Sequence, residues 1–102
     1  MANIIKPTES KNTPAIVTVA GTVIASNPNR IGWQIQNVGS GTVFIRLGGT
    51  ASSTVFHTVL KAGSGDSDGT GGSMSQMSGV VFTGDISMAG TTPKIVVLEH
   101  TG

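Results

Sequence analysis

The chain has 102 residues and a net charge of +1, with 37% hydrophobic and 11% charged side chains, which allows one domain around one thin core. Its six basic residues (Lys6, Lys11, Arg30, Arg46, Lys61, Lys94) are scattered and it has no cysteine, which argues against a nucleic-acid partner and excludes disulfides and thiolate metal sites. It offers neither a signal-peptide core nor an apolar run of bilayer length, so the expected setting is a cytosol, with no membrane partner.

Glycine punctuates segments rich in Val, Ile and Thr, a pattern that predicts an all-β protein. Residues 1–14 read as an extended N-terminal arm. Pro7 and Pro14 hold their predecessors extended, Ile4 and Ile5 are its only large apolar side chains, and such an arm is either loose or pinned to something else. From Ala15 the hydrophobic period is two, and one mostly buried strand over 15–26, broken or bulged near Gly21, is expected. Ser26-Asn27-Pro28-Asn29 is a turn by composition. Ile31, Trp33 and Ile35 then alternate with Gly32, Gln34 and Gln36. After the turn Val38-Gly39-Ser40-Gly41, the side chains of Val43, Ile45 and Leu47 share one face, with Phe44 and Arg46 on the other. Residues 31–48 are therefore expected to form a hairpin whose inner face carries Ile31, Trp33, Ile35, Val43, Ile45 and Leu47.

A further strand is expected over Thr54–Leu60. Residues 62–78, glycine-rich and without β-branched apolar side chains, are expected to form a long loop, either functional or disordered. Short strands are expected at Val80–Phe82, Ile86–Met88 and Lys94–Glu99; the last is apolar on both faces and belongs in the middle of a sheet. No segment shows helical spacing. Six to eight short strands joined by glycine turns predict a small antiparallel β-sandwich or barrel, jelly-roll or Ig-like, spanning 15–102 behind the arm.

Chemical motifs are thin. Gly65-Asp66-Ser67-Asp68-Gly69 matches a nucleophile elbow, but that mechanism needs Ser67 on a strand-to-helix turn with a histidine base in reach. In a glycine loop with no helical pattern after it, a chance match is the simpler reading. Asp66 and Asp68 are spaced like the first carboxylates of an EF-hand loop, yet its closing acid would fall at Met77, which leaves at most a weak cation site. His57 and His100 lack an evident set of partners, since Glu9, Asp85 and Glu99 are scattered. Trp33 and Phe44 could offer a sugar platform, but Trp33 aligns with Ile31 and Ile35, which assigns it to the core. No catalytic residue, cofactor or metal is expected, and the chain reads as a structural or binding component rather than an enzyme.

The stretch Ser26-Asn27-Pro28-Asn29-Arg30-Ile31-Gly32-Trp33-Gln34-Ile35-Gln36-Asn37, followed by Val38-Gly39 and the run Val43-Phe44-Ile45-Arg46-Leu47-Gly48, resembles small β-sandwich virion proteins of tailed bacteriophages. Leu60-Lys61-Ala62-Gly63 and Thr92-Pro93-Lys94 are similar too, so the resemblance spans roughly 15–100. It is carried by strand-and-turn patterns and brings no catalytic or ligand residues with it. The resemblance implies a structural virion protein, most closely a capsid decoration (cement) protein on the outer capsid surface. Such a protein would be made in the host bacterial cytoplasm, bind the major capsid protein lattice and form a homotrimer. The candidate interface residues are then Ile4, Ile5 and Pro7 of the arm, together with Met74 and Met77 of the long loop. The alternatives are a tail, neck or fibre component, or a receptor- or glycan-binding module of the virion.

Overall fold

The computed structural model describes residues 9–10, 15–65, 68–77 and 80–101. These form nine strands and no helix: β1 Glu9–Ser10, β2 Ala15–Val17, β3 Gly21–Ile24, β4 Arg30–Asn37, β5 Val43–Leu47, β6 Thr58–Leu60, β7 Ser73–Met77, β8 Ile86–Ala89 and β9 Ile95–Thr101. Two antiparallel sheets pack together as a small β-sandwich. One runs β2–β9–β4–β7, with β1 following β2 along the same edge of β9: Ala15 lies opposite Val97, and Glu9 opposite Thr101. The other runs β3–β8–β5–β6. The pairs β2·β9, β3·β8, β4·β7 and β5·β6 are nested, as though one long hairpin, turning at residues 48–57, had been wound up.

Alternation decides which side chains enter the space between the sheets. Trp33 and Ile35 on β4, Val43 and Ile45 on β5, Ile86 and Met88 on β8 and Ile95 on β9 are at most 1% exposed. Ile24, Leu60 and Val97 complete the cluster. Each such side chain contributes roughly 1.5–3 kcal/mol when withdrawn from water. β9, the last strand, is central as its two apolar faces imply, with β4 on one side and β1 and β2 on the other.

Several expectations are corrected. Residues 31–48 are not a hairpin: β4 pairs with β7 and β9, while β5 pairs with β6 and β8 in the opposite sheet. Their inner faces meet across the core instead of lying side by side, and Ile31 and Leu47 are only half-buried. Alternation reports a strand's face but not its partner. The single strand expected over 15–26 is two, β2 and β3, in different sheets; the break precedes Gly21, whose φ of 124° suits glycine. Thr54–Leu60 is strand only from Thr58, because residues 52–55 close a turn in which Ser52 and Val55 exchange backbone hydrogen bonds. Val80–Phe82 is not a strand: Val80 is 81% exposed, while Phe82 packs against the core. The 62–78 segment contains β7, held to β4 in an unbroken register from Gly32↔Met77 to Gln36↔Ser73.

Candidate functional site

Asn27, Arg30, Trp33 and Asn37, four motif residues of 26–37, prove to be internal fastenings. Asn27-Pro28-Asn29-Arg30 is a β-turn closed by the Arg30 N–H on the Asn27 carbonyl, and the Asn27 side chain accepts from the Asn29 N–H. Pro28 supplies the φ that the second position of such a turn requires. The Arg30 guanidinium is fully buried. Its Nε donates to Glu99 Oε2 at 2.8 Å, Nη1 to the carbonyls of Phe82 and Gly84, and Nη2 to that of Ala25. One cation thus ties β9 to two connections, 25–26 and 82–84. At the other end of β4, buried Asn37 donates through Nδ2 to the carbonyls of Gly41 and Leu60 and accepts from the Gly39 N–H. Gln76 Oε1 accepts from both Trp33 Nε1 and the Phe82 N–H, which satisfies the indole inside the core. Arg30, Asn37 and Gln76 Oε1 thus direct their hydrogen bonds inward, where they hold the fold.

Among the described residues, those with chemical promise do not assemble. Ser67 and Asp66 lie outside the described residues. Asp68 Oδ1 accepts from the Thr70 hydroxyl at 2.6 Å and the Thr70 N–H at 2.9 Å. Those two bonds, the hydroxyl's first, hold its carboxyl below the usual carboxylate range. His57 is exposed, and its Nδ1 accepts from the Leu47 N–H, continuing the β5–β6 ladder past its last strand pair. His100 is half-buried on β9 opposite Gly32 and Ser10. Among the described residues, no three His, Asp or Glu side chains come close enough to hold a metal ion. No helix there is long and apolar enough to cross a membrane.

Of the candidate interface residues, Ile4, Ile5 and Pro7 lie outside the described residues. Met74 is half-buried opposite Ile35 and packs against the core, and Met77 pairs with Gly32. Trp33 is a core residue, as its parity implies.

No protein-family model matches the chain, and searches of curated proteins and of solved structures find no match either. The outer surface of the β8 sheet therefore has to be read on its own geometry.

Phe44 points outward there. Val59 stands opposite it on β6 and Ala89 opposite it on β8. Phe56 leans on it with ring centroids 5.1 Å apart and planes at 49°. Val55, Phe56 and Val59 are 46%, 40% and 46% exposed, a run of apolar surface beside the Phe44 ring. On the other side of the ring a groove of about 590 Å³ opens between residues 51–53 and 90–91. Its 51–53 wall is fixed from below. The Ser87 hydroxyl donates to the Gly49 carbonyl at 2.6 Å and accepts from the Ala51 N–H at 2.9 Å, and Arg46 donates to the Thr50 carbonyl. This groove is not legible in the sequence, because its walls come from three separate connections. The one available signal was Phe44 itself, an aromatic on the polar parity of an otherwise regular strand.

Proposed function

We propose that this chain is a structural protein of a tailed-bacteriophage virion, acting as a capsid decoration (cement) protein that binds the assembled head and bridges neighbouring capsomers. The observation that carries the reading is the division of labour among side chains. Arg30, Asn37 and Gln76 are committed to the interior, whereas Val55, Phe56 and Val59 form a run of exposed apolar surface beside Phe44. A rigid fold with contact surface outside suits a component that works by packing against others. The resemblance of residues 26–48 to phage virion proteins supports it, and the stretch's polar residues account for why such a motif would be a fold signature. The nested pairing of strands further supports a jelly-roll winding, a frequent architecture of capsid proteins.

In this reading the arm, through Ile4, Ile5 and Pro7, adds to the head lattice, and the protein acts as a homotrimer. Co-sedimentation with assembled heads and with isolated capsid subunits tests it. Binding to heads alone is expected, and it is expected to be lost in Ile4→Ser/Ile5→Ser while far-UV circular dichroism is unchanged. Failure of the unaltered protein to sediment with heads contradicts the decoration role. Unimpaired binding of the double variant contradicts the part given to the arm.

A further inference from the structure

We infer that the groove over Phe44 is a binding site for a neutral saccharide. The inference does not depend on the virion reading, since it rests on the groove alone. At about 590 Å³ the space is of the size that holds a small ligand, here one or two sugar rings in an open cleft. No lining side chain is charged, which makes it a poor host for phosphate, carboxylate or cation. Phe44 gives it an aromatic side, and the tilted contact with Phe56 restrains that ring. A pyranose presents a face of C–H groups that packs on such a ring, and a rim of hydroxyls that needs hydrogen-bond partners.

The rim of the groove supplies them. Thr42, Ser53 and Thr91 line it, and among the described residues none of their hydroxyls is hydrogen-bonded within the chain. Each can donate and accept, as a sugar hydroxyl can. The neighbouring Ser52 hydroxyl is already used, accepting from the Thr54 and Val55 N–H groups, so it shapes the wall instead of meeting the ligand. Gly90 keeps the opposite wall close: a Cβ there would stand 2.8 Å from the Thr42 carbonyl oxygen. Both walls are thus set before a ligand arrives, which lowers the ordering cost of binding. An aromatic side, three unused hydroxyls and no charge describe a neutral polyol better than a peptide strand, which would need a free backbone ladder.

The test is a 15N–1H NMR titration of the full chain with methyl glycosides of glucose, galactose, mannose and N-acetylglucosamine, with glucuronate and inorganic phosphate as charged controls. At least one neutral glycoside is expected to give saturable shifts at the amides of Thr42, Ser53, Gly90 and Thr91, with a dissociation constant in about the millimolar range. Phe44→Ala is expected to weaken it at least about tenfold, equivalent to ~1.4 kcal/mol. Should that variant lose its fold, Thr91→Val and Ser53→Ala, both at exposed positions, carry the test through weaker binding at unchanged Tm. The absence of saturable shifts up to about 50 mM for every neutral glycoside overturns the inference. Equal binding of glucuronate or phosphate overturns it too. So do shifts at the same amides that depend only on protein concentration, which would give the groove to a second copy of the chain.

Discussion

Arg30 is fully buried, and it is tolerable there because its donors meet one carboxylate oxygen and three backbone carbonyls. A lysine at this position would carry the charge without the planar fork and could not reach all four acceptors. Arg30→Lys is expected to destabilise the fold by about 3 kcal/mol, the range for breaking a buried ion pair, read as a lower urea midpoint at unchanged m-value. A loss below ~1 kcal/mol would show that water replaces the guanidinium contacts. Gly71 is constrained from the opposite direction, since a Cβ there would overlap the Asn37 carbonyl oxygen. Gly71→Ala must push β7 from β4 and is expected to cost at least about 2 kcal/mol by the same assay. The two residues differ in how much of this could be read beforehand. Trp33 was legible as core because its neighbours two residues away on either side are isoleucines, and parity is a local property. The role of Arg30 was not, because Ala25 is near in sequence but Phe82, Gly84 and Glu99 are brought to it only by the completed fold.

Among the strands, those whose own side chains enter the core were legible, and those that exist by pairing alone were not. β4, β5, β8 and β9 carry alternating or doubly apolar runs and were found within a residue or two of their ends. β7, Ser73-Met74-Ser75-Gln76-Met77, has no β-branched apolar residue and becomes a strand because β4 presents an unfilled edge to it. Val80–Phe82 is the converse, a strand-like run whose backbone serves Arg30 and Gln76 instead of a ladder. The connection before β7 gives a prediction at this scale. The Ser64 N–H donates to the Thr70 hydroxyl, which in turn donates to Asp68. The Asp68 carboxyl titrates below its ordinary value in the folded chain, so its hold on Thr70 is complete above the pKa of a free aspartate, about 3.9. That hold is lost as pH falls through the lowered value. The Thr70 amide proton shift is therefore expected to titrate with a midpoint below about 3.9. A midpoint at or above that value contradicts the Thr70–Asp68 bonds.

For the molecule as a whole, nested pairing joins β2 to β9 and β3 to β8 across most of the chain, and closing such distant contacts is slow. Refolding is expected on a time scale of milliseconds to seconds, measured by stopped-flow Trp33 fluorescence, and microsecond folding would contradict the pairing order. The class of the fold was legible in the sequence from glycine spacing and period-two runs. The assignment of strands to sheets was not, because six of the seven connections from β2 to β9, all but β5–β6, carry the chain from sheet to sheet, and nothing in a turn's composition records its destination. The candidate groove is a property of this scale, assembled from connections that only the winding brings together. So is the proposed role, in which a rigid sandwich acts through its outside. The most direct test of that role is the copy number of this protein in purified particles of its source, by quantitative mass spectrometry. A number comparable to that of the major capsid protein is predicted; a handful of copies would move it to the tail or neck, and absence from the particles would contradict the virion role outright.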